Sequence, residues 1–178
     1  MKSISIAMLF LLMIIGTSLS AQNSTYSERY GSTLNLGLGV GGYSGYYGYV
    51  GRSLPVLHIN YEFDVLNDFT LAPFATFYTY RSDYYRETVI PIGVKGSYYL
   101  DNALNANSNW DFYLAGSLGF ALGTTSWDND YNGDRTYYRG RGDLFLDAHF
   151  GIEYHINRKL GLFLDLSTGV STIGLAFH

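Results

Sequence analysis

From Thr33 onward the chain alternates apolar residues with polar or small ones at a period of two. Residues 33–41 place Leu34, Leu36, Leu38 and Val40 on one face and Thr33, Asn35, Gly37, Gly39 and Gly41 on the other. A second segment sets Leu57, Ile59, Tyr61, Phe63 and Val65 against His58, Asn60, Glu62 and Asp64. Further segments run from Phe69 to Tyr80, Ile90 to Leu100, Trp110 to Gly123, Asp143 to Ile156, Leu160 to Thr168 and Ile173 to the end. Successive side chains of a strand point to opposite faces, so each segment is predicted to be a strand with one apolar face. The Phe69–Tyr80 stretch alternates poorly and holds Pro73, which has no N–H for a ladder.

The connections alternate as well. Leu66–Asp68 and Asn157–Lys159 are short, whereas Gly42–Ser53 and Thr125–Arg141 are long and polar. Short turns at one end and long loops at the other, around segments of roughly ten residues, predict an all-β, eight-stranded antiparallel up-and-down transmembrane β-barrel over residues 22–178. The Asp101–Asn109 connection is long for the short-turn end, and Ser167–Ser171 is short for the loop end.

A soluble barrel has the same period with its apolar face turned inward. Three features favour the membrane. The polar face is rich in Gly, Ala and Ser, as a narrow lumen requires. The chain has only three lysines, where a water-exposed sheet surface would use more. Aromatic residues fall near the predicted strand ends as two interfacial girdles: Tyr43, Tyr46, Tyr47, Tyr49, Tyr78, Tyr80, Tyr98, Trp110, Phe112, Tyr154 and Phe177.

Composition narrows the setting. Lys2, an apolar run from Ile4 to Ile15 and small residues up to Ala21 have the order of a secretory signal peptide, expected to span residues 1–21. The run is too short to span a bilayer as a helix. With 0 Cys, disulfides, cysteine catalysis and a lipid-modified cysteine are excluded. The 178 residues carry 11 Lys+Arg against 15 Asp+Glu and no basic run, which argues against nucleic acid as a partner. The 18 Tyr and mean hydropathy of +0.01 suit strands and interfaces rather than spanning helices.

Three stretches carry a family resemblance: Ile90-Pro-Ile-Gly-Val-Lys-Gly-Ser-Tyr-Tyr-Leu100, the strand–turn–strand from Gly151 to Asp165, and the ending Gly174-Leu-Ala-Phe177. They resemble the small porin-like outer-membrane β-barrel proteins of the Bacteroidota type. The resemblance implies outer-membrane lipid and lipopolysaccharide as surroundings, and the barrel-assembly machinery as a partner during insertion. It implies no cofactor and no single activity. Members close on an aromatic residue; here His178 follows Phe177. No peptidoglycan-binding domain is expected after the last strand.

Four local motifs bear on chemistry. Gly37, Gly39 and Gly42 fit G-x-G-x-x-G but lie in a predicted strand, where small lumen residues explain them better than a phosphate loop. Asp128, Asp130, Asn132 and Gly133 match the first half of a calcium loop, with Arg139 where a closing Glu belongs, so Asp128, Asp130 and Asn132 form a weak calcium candidate. Arg141-Gly142-Asp143 spells an adhesion tripeptide at a strand start, where chance explains it. Tyr43, Tyr46, Tyr47 and Tyr49 lie among glycines, as an adaptable binding loop or as girdle residues.

On the lumen face, His58, Glu62, Lys95, Tyr113, Asp147 and His149 are expected to form a hydrogen-bonded plug, with Glu62 or Asp147 paired to Lys95. Asp64, Asp111 and Glu153 are expected in water at the short-turn mouth, because burying unpaired acids is costly. Asp165 and His155 fall on the same face. The leading functional expectation is a non-enzymatic surface barrel with a structural or interaction role. A narrow passive pore, a soluble periplasmic barrel holding an apolar ligand and a lipid A-modifying enzyme are the alternatives; the last is disfavoured by the lack of a His-x-Ser pair.

Overall fold

The computed structural model describes residues 30–42, 55–81, 83–133 and 142–178, with residues 142 and 143 described in backbone only. The expected leader, the tyrosines between residues 43 and 49, Arg139 and Arg141 lie outside the described residues. Eight strands follow in order: β1 (Thr33–Gly41), β2 (Val56–Leu66), β3 (Phe69–Arg81), β4 (Tyr85–Tyr99), β5 (Trp110–Trp127), β6 (Gly142–Asn157), β7 (Leu160–Ser167) and β8 (Val170–Phe177). Each pairs antiparallel with its successor, and β8 pairs back to β1, closing the barrel. Closure leaves no free strand edge.

The period of two explains which way each strand faces. In β1, Thr33 and Asn35 are buried while Leu36 and Leu38 are exposed. The same division repeats around the barrel, with Ile59, Ile92, Leu118, Leu146, Leu164 and Ile173 outside. The outside is therefore an apolar belt, and the inside carries the polar set.

Two departures from the sequence expectation have plain causes. Strand β3 puts Tyr78 fully inside, in a lumen cluster with Val56, Val89, Ala121 and Phe145, so apolar residues occupy both of its faces and blur the alternation. Tyr78 is thus a lumen residue and not part of a girdle. Pro73 is exposed; the β3–β4 ladder runs through its pair with Val94, and the β2–β3 ladder skips from Asn60–Phe74 to Phe63–Leu71. Strand β5 continues through Thr124, Thr125 and Ser126 to Trp127, against β4 as far as the Tyr85–Trp127 pair. The long loop expected from Thr125 therefore starts at Asp128, because three polar residues in succession hide a continuing ladder.

The long connection after β4 is ordered by one helical turn, α1 (Asp101–Leu104). Asp101 Oδ1 accepts from the Phe112 amide at 2.7 Å, and Asn105 ends the turn in the left-handed conformation (φ 49°). Among the described residues no helix is long and apolar enough to cross a membrane.

The lumen is packed by cross-strand pairs of glycine and aromatic rings. Phe74 faces Gly93, Tyr113 faces Gly151, Phe145 faces Gly119 and Phe163 faces Gly174. A Cβ on any of these glycines would lie 2.9 Å or less from a ring atom of its partner. Lumen glycines therefore seat rings from the next strand, a device that also holds twisted sheets in register.

Candidate functional site

The polar interior is organised as three linked groups of side chains. In the first, Asp165 of β7 is the hub. Lys95 Nζ of β4 lies 3.0 Å from Asp165 Oδ2, and the Tyr113 hydroxyl of β5 donates to the same oxygen at 2.8 Å. His149 Nδ1 of β6 lies 2.7 Å from Asp165 Oδ1. A carboxylate only accepts, so His149 donates from Nδ1, and its Nε2 is left to accept from the Ser117 hydroxyl at 2.9 Å. The Lys95 ammonium also lies 4.9 Å from the Tyr113 ring centre. Both members of the Lys95–Asp165 pair are buried, and every charged atom of the hub has a short partner.

The second group runs through β1, β2 and β3. Asn60 Nδ2 donates to His58 Nε2 at 3.0 Å, so His58 donates from Nδ1 to Thr76 Oγ1 at 2.8 Å. Asn35 donates to Asn60 Oδ1 at 2.9 Å. Glu62 receives the Tyr99 hydroxyl at 2.8 Å and the Thr70 hydroxyl. The third group lies at the short-turn end, where His178 meets Glu153 and His155 meets Asp111.

The expected plug residues are thus distributed between groups. Lys95, Tyr113 and His149 converge on one carboxylate, and His58 and Glu62 belong to the neighbouring chain of bonds. Asp147 is half-buried near the loop end and accepts from Thr168 Oγ1 at 3.2 Å. Two expectations are corrected. The partner of Lys95 is Asp165, not Glu62 or Asp147, because β4 and β7 face each other across the lumen while sequence patterning reports only faces. Asp111 and Glu153 are 3% and 5% exposed and each is paired with a histidine, so neither stands in water. Asp64 is exposed as expected and caps the Tyr30 and Gly31 amides. Asp128, Asp130 and Asn132 lie exposed on the turn after β5. Sequence reasoning left out Ser117 and Tyr99, and nothing in the local pattern distinguishes them from other lumen-facing hydroxyls.

Ser117, His149 and Asp165 follow the order of a nucleophilic relay. The cavity beside them, lined by His58, Ser117, Phe145 and His149, has a volume of about 30 Å³. That is room for one or two water molecules. Within the lumen the three side chains contribute packing and ion pairing.

The sequence matches no protein-family profile, and no curated protein sequence matches it. Among solved structures, Neisserial surface protein A aligns over 82% of this chain and 92% of its own, at 15% identity and a TM-score of 0.51. The two share a fold. The Yersinia pestis outer membrane protein Ail aligns over 84% of this chain and 99% of its own at 11% identity, with a TM-score of 0.49. A de novo designed transmembrane β-barrel aligns over 84% and 98% at 15% identity, with a TM-score of 0.45. The likeness to Neisserial surface protein A concerns the closed barrel; no lumen residue is carried over from it.

Proposed function

We propose that the chain is a non-enzymatic, plugged β-barrel of the outer membrane of a Gram-negative bacterium, with a structural or surface-interaction role. The observation that carries this reading is the combination of an apolar belt outside and a filled polar lumen inside. Leu118, Leu144, Leu146 and Ile173 are each more than half exposed. Such a belt running round a protein is far larger than the apolar patches soluble monomers expose. In hydrocarbon a closed barrel satisfies its backbone and its belt at once. A soluble barrel holding an apolar ligand would need the opposite division of faces.

The ends fit the same placement. Trp110 stacks on Phe112, and its ring centre lies 4.8 Å from that of Tyr154 at the short-turn end, while Trp127 contacts both Tyr85 and Tyr131 at the loop end. Aromatic rings gather at both levels where a bilayer would meet water. The short turns then face the periplasm and the loops the exterior. Neisserial surface protein A, a surface protein by name, has this fold, which supports the surface placement. Membership of the Bacteroidota-type barrels, insertion by the barrel-assembly machinery and contact with lipopolysaccharide belong to the same proposal.

Among the described residues, the tips of β3, β4 and β5 extend past the last β5–β6 pair, Leu122–Gly142, to the Arg81–Arg86 and Tyr85–Trp127 pairs. This wall, with exposed Tyr84 and the Asp128–Gly133 turn, is the described part of the surface a partner would meet. An epitope inserted after Asn132 tests the placement. Antibody should label intact cells; labelling only after the outer membrane is broken would rule the placement out.

A further inference from the structure

The short-turn end of the lumen gathers four potential metal ligands from three parts of the barrel. Glu153 and His155 come from β6, Asp111 from β5, and His178 follows β8. One ligand atom from each of Glu153, His155 and His178 lies within 4.8 Å of the others. The His155 and His178 ring centres are 4.8 Å apart.

A count of protons shows that, with Glu153 ionised and both rings neutral, this group is one cation short. The Thr33 hydroxyl has one hydrogen, which it donates to the Tyr30 carbonyl at 3.0 Å. Its 3.0 Å contact with His178 Nδ1 therefore requires Nδ1 to carry a hydrogen and donate it. In the neutral ring Nε2 then presents a lone pair, and it does so 2.7 Å from Glu153 Oε1, another acceptor. Two acceptors at this distance need a proton, on the ring or on the carboxyl, or a metal ion to join them.

Asp111 supplies an independent sign. It is 3% exposed; Oδ2 meets His155 Nε2 at 2.8 Å, and Oδ1 is buried with no hydrogen-bond partner. A buried carboxylate oxygen without a donor or cation is unfavourable.

We infer that Glu153, His155, His178 and Asp111 form a binding site for a divalent transition-metal ion of borderline softness, with Zn²⁺ the best match. Two imidazoles and two carboxylates suit zinc, whereas magnesium and calcium favour oxygen alone. Zinc bonds of about 2.0–2.1 Å place tetrahedral ligand atoms roughly 3.4 Å apart. The 2.7 Å contact and the 4.8 Å limit on the group bracket that spacing, so small side-chain rotations admit the ion. The Thr33 hydroxyl holding His178 Nδ1 fixes the ring for coordination through Nε2. The ion ties the end of β8 to β5 and β6 across the lumen, strands that share no ladder with β8.

The test uses the full folded chain, free of any affinity tag, in detergent micelles after stripping with chelator. Zinc titration by calorimetry should show one equivalent bound in the micromolar range or tighter, and zinc should raise the melting midpoint. Cobalt should give the visible absorption of a tetrahedral site. His178→Phe and Glu153→Gln should each weaken zinc binding at least about tenfold, and His58→Asn, in the separate upper group, should leave it unchanged. No saturable zinc binding by the parent chain would overturn the site and leave an imidazolium–carboxylate pair in its place. Undiminished binding by His178→Phe would also overturn it. That variant decides alone if Glu153→Gln does not fold, since His178 lies beyond the β8 ladder.

Discussion

At the scale of single residues, the barrel interior is governed by one carboxylate. Asp165 holds Lys95, His149 and Tyr113 within hydrogen-bond reach. Lys95→Met should lower stability by about 3–5 kcal/mol, since it strands a buried carboxylate. The Lys95→Met, Asp165→Asn pair should lose less than the two single changes added together, because each removes the other's unpaired charge. Denaturant unfolding of the barrel in lipid vesicles measures both; an additive double variant would show that the two do not pair. The period of two placed Lys95 and Asp165 on the lumen face, yet their pairing was not legible. They are 70 positions apart on strands that are not neighbours, and the contact depends on barrel closure and stagger. Placing Asp111 and Glu153 in water followed from the cost of lone buried acids; His155 and His178 give each of them a partner that the local pattern does not show.

At the scale of strands, each element has two faces with different tolerances. Gly151→Ala would bring its Cβ within 1.9 Å of Tyr113 Cζ, whereas a Cβ at Gly116 meets only a carbonyl oxygen at 3.9 Å. Gly151→Ala should therefore destabilise the barrel by about 1–3 kcal/mol by displacing Tyr113 from Asp165, and Gly116→Ala should have little effect. Equal effects would mean that the ring is not seated on Gly151. On the outer face, Leu118→Arg in the middle of β5 should cost about 2–4 kcal/mol in a bilayer; an unchanged unfolding midpoint in vesicles would place that face in water. Strand number, order and facing were legible because alternation survives wherever one face is apolar. It failed at the top of β5, where Thr124–Ser126 are polar on both faces, and in β3, where Phe74 and Tyr78 are apolar on the polar face.

At the scale of the whole molecule, eight strands enclose a space that side chains can fill, and here they do. Lys95, Tyr113, Phe145 and Phe163 are buried in it. Reconstituted into planar bilayers, the protein should give no stepwise conductance, and regular single-channel steps would show that the plug opens. Pairing also brings together residues whose chemistry no local motif announces: the Glu153–His178 contact joins β6 to the residue after β8 over the intervening β7, where Gly161 leaves room for the Glu153 side chain. In the proposed placement the apolar belt faces hydrocarbon. Since the chain has 0 Cys, a nitroxide can be placed at a single engineered cysteine without background. The most direct measurement is the collision rate of that label with oxygen and with a water-soluble nickel chelate, in vesicles, for Leu118→Cys and Asn132→Cys. At Leu118 oxygen should dominate and the chelate be excluded, with the reverse at Asn132. Ready access of the chelate to position 118 would contradict a membrane-spanning barrel.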